Sequence, residues 1–250
     1  MGVYLMVYYT GDTHGDFKKI VKFVRDNKLT AQDVVVILGD AGFNYFLDIR
    51  DEYNKEYVNN LGISIFCVHG NHEARPQTIP SYKQTTWNGG KVYKEWKYPN
   101  LLFAIDGEVY NLDGKNSLVI GGAYSVDKAW RLRRAGLTEE NNDPRKSGWF
   151  NNEQLTEKEM SKATKQLNKF KRTGKTIDFI FSHTCPYSWE PCDLFLGFID
   201  QSTVDNSMEI WMDSLKTNIP WKYWCFGHFH VRNKTCIVCQ LFQSFLFYKT

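Results

Sequence analysis

The chain has almost no excess charge of either sign, no long apolar run and no ordered spacing of cysteines. Its 250 residues carry 31 Lys and Arg against 28 Asp and Glu, a formal net charge of +3. With the cations spread along the chain, charge alone marks out no face for nucleic acid. No stretch approaches the ~20 apolar residues of a membrane-spanning helix. The opening Met1-Gly2-Val3-Tyr4-Leu5-Met6 lacks the basic start of a secretory leader. The six cysteines, Cys67, Cys185, Cys192, Cys225, Cys236 and Cys239, form no disulfide framework. A chain of this length buries a core without crosslinks, so the cytoplasm is the expected compartment. Cys236 and Cys239 are three apart in a β-prone stretch, which points them to opposite faces, and they read as structural thiols. Low-complexity tracts and linkers are also missing, and one domain over residues 1–250 is expected.

Hydrophobic residues make up 42% and charged residues 24%, the balance of a globular α/β protein. Aromatics reach 16%; without a basic-aromatic repeat they read as core filling. Residues 3–9 form an apolar strand ending at Thr10-Gly11-Asp12. Residues 17–27 place Phe17, Ile20, Val21 and Val24 at three- and four-residue steps, an amphipathic helix. A second strand over 33–38, a helix over 48–60 and a third strand over 63–68 repeat the plan. Strands alternating with helices imply parallel pairing and right-handed crossovers, with functional loops at the carboxyl ends of strands. Residues 77–98 read as an irregular excursion. Short strands follow at 101–104, 108–112 and 117–120, then a basic loop at 131–150. A long helix over 151–171, capped by Asn151 or Asn152, leads to a strand at 177–181. A helix at 204–215, a strand at 223–226 and two strands within 235–248 complete the reading.

Five of the six histidines fall in short blocks beside glycine or another metal-binding residue. The blocks are Asp12-Thr13-His14, Gly70-Asn71-His72-Glu73, Ser182-His183 and Gly227-His228-Phe229-His230, and Gly39-Asp40 adds a carboxylate. No cysteine belongs to the set, so the donors suit hard or borderline divalent ions and not a thiolate-bound structural zinc. In Asp12-x-His14 and His228-x-His230, alternate side chains on an extended segment point the same way and reach one cavity. A two-metal hydrolytic site, its ions roughly 3.5–4 Å apart, needs a shared carboxylate and several further N or O donors. Asp12, His14, Asp40, Asn71, His183, His228 and His230 supply seven.

In order, the five blocks resemble the signature blocks of the calcineurin-like metallophosphoesterases, and the resemblance spans residues 11–230. It implies a four-layer α/β/β/α sandwich: two mixed β-sheets face to face, with helices outside. It implies one cation on Asp12, His14, Asp40 and His230 and a second on Asp40, Asn71, His183 and His228, with Asp40 bridging. The ions implied are Mn or Fe, with Zn as the alternative. The reaction implied is hydrolysis of a phosphomonoester or phosphodiester by in-line attack of metal-bound hydroxide, with His72 as general acid. Glu73 is a candidate to orient His72, whereas His69 has no ligand role in the pattern and reads as structural.

The chain departs from the Ser/Thr protein phosphatases, which it resembles at Gly70-Asn71-His72-Glu73. Their second block continues into a run that supplies a phosphate-binding arginine and an acid partner for the histidine. Here Gly39-Asp40 is followed by Ala41-Gly42-Phe43-Asn44-Tyr45, with neither. Candidate substrate contacts are therefore Arg75 and the segment 121–150, with Tyr124, Arg131, Arg133, Arg134 and Trp149. Rival readings are a cyclic-nucleotide or nucleotide phosphodiesterase, a nuclease, and a non-catalytic scaffold of the same fold. The phosphoester itself and the oligomeric state are not written in the sequence.

Overall fold

The structure, a computed structural model, describes residues 6–192, 201–230, 233–234, 238–240 and 246–247. The first strands are β1 (Val7–Thr10), β2 (Val34–Ile37) and β3 (Ser64–Cys67), followed by β4 (Tyr82–Trp87), β5 (Gly90–Glu95) and β6 (Leu101–Ala104). Then come β7 (Val109–Leu112), β8 (Lys115–Ile120), β9 (Ile177–Ser182) and β10 (Trp221–Phe226), and the short β11 (Asn233–Lys234), β12 (Val238–Gln240) and β13 (Leu246–Phe247). One sheet runs β13-β1-β2-β3-β6-β5-β4 and the other β11-β12-β10-β9-β8-β7. The central strands β1, β2, β3 and β6 are parallel, as are β8, β9, β10 and β12, and antiparallel strands close the edges.

Strand alternation divides the interior into three cores. In β2, Val34 and Val36 point with Leu38 into a cluster shared with Phe179, Phe181 and Cys225 of the other sheet. Their neighbours Val35 and Ile37 face outward to meet Phe17, Ile20, Val24 and Val58, from the N-terminal edge and body of α1 (Lys18–Asp26) and from α2 (Ile49–Asn59). The outer face of the second sheet, with Ile120, Ile180 and Trp224, packs on Met160, Leu167, Met208 and Met212. Those side chains come from α5 (Glu157–Lys171) and α6 (Ser207–Asn218). Helix, sheet, sheet and helix are the four layers expected from the sequence.

Three local expectations fail. Residues 77–98 are not irregular: β4 and β5 form a hairpin closed by Asn88-Gly89, both at positive φ (47° and 85°). That is the turn chemistry favoured between two strands, and it sits among polar edge residues that hide the alternation. The basic loop at 131–150 contains α3 (Lys128–Ala135) and α4 (Pro144–Ser147). In α3 only Leu132 is buried, so no apolar stripe announces the helix; Gly136 ends it in the left-handed conformation. The long helix starts at Glu157, not at 151, because Thr156 caps it in a reciprocal box with Glu159. Cys236 and the side chain of Cys239 lie outside the described residues.

Glu209, on the inner side of α6, is buried, and burial pushes its carboxyl up to about 7. A carboxyl with a raised native pKa favours the fold below its unfolded pKa and loses that contribution as pH rises through the native value. Glu209→Gln is therefore expected to stabilise the protein by up to about 3 kcal/mol at pH 8, with the gain vanishing toward pH 4. Urea unfolding at a series of pH values measures it; a gain independent of pH would contradict the assignment.

Candidate metal centre

All parallel strands of both sheets deliver their carboxyl ends to one edge, and each histidine-bearing block follows such an end. Asp12 follows β1, Asp40 follows β2, Asn71 follows β3, His183 follows β9, and His228 and His230 follow β10. Backbone donors from neighbouring loops hold both carboxylates. Asp12 Oδ1 accepts from His228 N at 2.9 Å, and Asp40 Oδ1 accepts from His72 N at 2.8 Å. Each carboxylate keeps its second oxygen for the interior of the site. Asp12 Oδ2 lies 3.1 Å from His230 Nε2 and 3.8 Å from His14 Nε2. Asp40 Oδ2 lies 3.6 Å from His183 Nε2 and 4.0 Å from His14 Nδ1. Oδ1 of Asp40 accepts from the backbone, and Oδ2 is the oxygen turned toward the imidazoles.

Two further contacts aim the remaining donors. His183 Nδ1–H donates to Leu38 O at 2.8 Å, which turns Nε2 toward Asn71 Oδ1, also at 2.8 Å. Asn71 Nδ2 donates to Ser125 Oγ at 2.8 Å, so its amide oxygen faces the cluster. His228 completes the group, its ring 5.1 Å from that of His183, and His14 Nε2 lies 3.0 Å from His230 Nε2. The structure thus brings all seven predicted donors together, and two subsets have mutually close ligand atoms: Asp12, His14 and His230, and Asp12, Asp40 and His183.

The backbone pays for this convergence. His14, Asp40, His228 and His230 have φ of 47°, 48°, 66° and 54°, the left-handed region that side chains with a Cβ disfavour. Such positions cost about 1–3 kcal/mol each and cluster at functional sites. Gly39 and Gly70 are sterically required: a Cβ on Gly39 would overlap the His183 ring, and one on Gly70 would overlap the Asp40 carboxylate. Electrostatics follow the crowding. Burial alone raises the pKa of Asp40, but the His183, His72 and His14 imidazoles hold it well below the usual carboxylate range. Burial pulls His183 down, yet Asp40 and Asp12 raise it to about 9, while burial and His183 drive His228 down to about 3.

His72 is half-buried beside this cluster, its ring 5.9 Å from that of His14. Burial lowers its pKa and Arg131 adds to that, against Asp40 and Asp127. Its Nδ1 makes no hydrogen bond among the described residues. Glu73, proposed to orient His72, instead accepts from Gly70 N at 2.8 Å, and burial pushes its carboxyl up to about 8.

The candidate substrate residues separate into three places. Arg131 acts electrostatically on His72; its Nε donates to Asp127 at 2.8 Å and its Nη1 to Gly148 O at 3.2 Å. Arg134 is on the same side of α3, 5.1 Å over the Trp130 ring. Tyr124 and Arg133 line a different and larger cavity of about 930 Å³ that contains none of the seven donors. Trp149 is buried there beneath the Lys128 ammonium, 4.6 Å from its ring. Arg75 is not one helical turn beyond Asn71: residues 71–75 are non-helical, and its buried guanidinium is held by Asp106 at 2.5 Å and Asn152 O at 2.7 Å. His69 is buried, its carbonyl accepts from Gly122 N at 2.8 Å, and its Nε2 makes no hydrogen bond among the described residues. Sequence reasoning missed Ser125, Asp127 and Tyr45, whose roles arise only when loops distant in the chain meet.

Carboxylates and imidazoles gathered at the carboxyl ends of two facing sheets are the layout of a metal-dependent hydrolase. The family model for calcineurin-like phosphoesterases matches residues 5–232, and the chain belongs to that family, whose members are metal-dependent phosphoester hydrolases. Among solved structures, that of TT1561 from Thermus thermophilus is similar over 96% of this chain and 91% of its own, with 13% identity and a TM-score of 0.51. At that identity the likeness shows the fold. The AQ665 protein of Aquifex aeolicus is similar over 75% of this chain and 83% of its own, with 14% identity and a TM-score of 0.33. No curated protein matches the sequence. No helix among the described residues is long and apolar enough to cross a membrane.

The hold of Ser125 on Asn71 is testable apart from catalysis. Ser125→Ala is expected to weaken Mn²⁺ binding by about 10–100-fold, the usual cost of releasing a group that orients a ligand. Calorimetric titration measures it, and equal affinity in the variant would show that Asn71 needs no such restraint.

Proposed function

We propose that the chain hydrolyses a phosphomonoester or phosphodiester at two divalent cations, held by Asp12, His14, Asp40 and His230 and by Asp40, Asn71, His183 and His228. The observation that carries this reading is the convergence of seven oxygen and nitrogen donors from five loops, each carboxylate turning one oxygen toward the imidazoles. The donor set fits such ions: it has no thiolate, and its oxygen and imidazole composition suits Mn or Fe, with Zn as the alternative. Cations there would polarise a phosphoryl oxygen and lower the pKa of a water molecule. The free thiols Cys67, Cys185 and Cys192 support a reducing, cytoplasmic setting.

The side chains divide the remaining work. Asp12 and Asp40 are fixed by backbone N–H groups, so their free oxygens cannot swing as charge develops. His72, borne on the loop that also carries Asn71, protonates the departing alkoxide. Its lowered pKa makes it a stronger acid when protonated. Arg131, tethered by Asp127 and Gly148 O, is the cation assigned to a phosphate oxygen in place of the missing protein-phosphatase arginine.

Two variants test these roles. His72→Asn is expected to retain both metals by elemental analysis and to lose about 10²–10⁴-fold in kcat on an alkyl phosphoester. On p-nitrophenyl esters, whose leaving group departs without a proton, the loss should be far smaller. Equal losses on both ester types would remove the general-acid role. Arg131→Ala is expected to lower kcat/KM by about 10–100-fold, the worth of one charged hydrogen bond to phosphate. An unchanged value would place the phosphate elsewhere.

A further inference from the structure

Helix α3 has two unlike sides. Away from the 930 Å³ cavity it borders a smaller one of about 220 Å³, formed with the loop after Asp40 and with α4. Tyr45 and Phe46 come from that loop, Trp130, Arg131 and Arg134 from α3, and Arg145 from α4. Arg50 and Lys146 also border it, and no acidic residue does. Asp48 pairs with Arg50, Asp127 with Arg131 and Asp143 with Lys146. Arg134 and Arg145 make no ion pair among the described residues, and the five cations outnumber the three carboxylates paired with them. A chain with a net charge of only +3 has gathered five cations at this one place.

Flat surfaces accompany the charge. The Arg50 guanidinium lies 3.8 Å over the Phe46 ring, and that of Arg134 lies 5.1 Å over the Trp130 ring. Trp130 remains half exposed. Guanidinium groups beside a half-exposed aromatic ring are how unpaired bases are held, by stacking that does not depend on base identity. An acidic peptide would use the cations and leave the rings idle. The volume is below the ~300–1,000 Å³ of pockets that enclose a drug-sized ligand, which suits one unit of a longer molecule. Arg131 lines this cavity and is held by Asp127, two residues from the Ser125 hydroxyl that accepts from Asn71. The cavity is therefore joined to the donor cluster by one short stretch of backbone.

Resting on the phosphoesterase reading above, we infer that this groove is the leaving-group subsite and takes a nucleotide, with its own phosphate on Arg134 and Arg145 and its base against Trp130. The substrate class is then a phosphodiester between nucleotides in a short single strand.

The test uses the full chain loaded with Mn²⁺, with bis(p-nitrophenyl) phosphate and a fluorescein-labelled oligothymidylate as substrates. Arg134→Ala, Arg145→Ala and Trp130→Ala lie outside the ion site. Each is expected to lower kcat/KM on the oligothymidylate about tenfold, with activity on bis(p-nitrophenyl) phosphate held within about twofold. Fluorescence anisotropy should show weaker oligothymidylate binding in each variant. The slope of log K against log salt should fall by about 0.7 for each arginine removed. Wild-type binding in the variants, equal losses on both substrates, or stronger competition by a phosphoserine peptide would overturn the subsite. Wild-type protein inactive on both bis(p-nitrophenyl) phosphate and p-nitrophenyl phosphate would instead refute the phosphoesterase reading, and the anisotropy arm would still decide the groove.

Discussion

The site depends on how closely the two sheets approach at their carboxyl ends. His183, at the end of β9, gives its Nδ1–H to Leu38 O, at the end of β2, and its ring fills the space that a Cβ on Gly39 would need. That contact joins the sheets, fixes the imidazole tautomer, and places Nε2 within reach of Asn71 and of Asp40, the residue after Gly39. A side chain at position 39 would push the sheets apart where the ligands of one must meet those of the other. The central core, where Val36 and Leu38 pack with Phe179 and Phe181, sets the same spacing from below.

Around this seam the protein holds geometry that the free chain resists. Four of the seven donors sit at positive φ, and several imidazoles crowd two carboxylates. The strain is borne by three apolar clusters that hold the strands in register on both sides of each sheet. Anchoring one oxygen of each carboxylate serves the same end. Orientation is fixed during folding, so little rearrangement is left for the moment of reaction.

Much of this was legible in the sequence because its signals are local. Val34, Val36 and Leu38 alternate, Phe17, Ile20 and Val24 keep helical spacing, and the ligand blocks each span only a few residues. The misses have equally specific causes. Asn88-Gly89 was a turn signal within a polar stretch, Thr156-x-x-Glu159 a capping signal hidden behind two asparagines, and α3 a helix without an apolar face. Arg75 looked available because its partners, Asp106 and the Asn152 carbonyl, are far along the chain. Ser125 and Asp127 acquire meaning only beside Asn71 and His72, and pairings of that kind follow from tertiary contact.

The donors come from short loops between sheet and helix, whereas the cationic and aromatic side chains near them ride largely on the excursion between β8 and α5. That excursion touches the donor cluster chiefly through Ser125 on Asn71. None of the seven donors therefore lies on the stretch that carries most of those cations. Descendants of this sequence can change their diet by rewriting residues 126–150, leaving the inorganic heart of the protein as it stands.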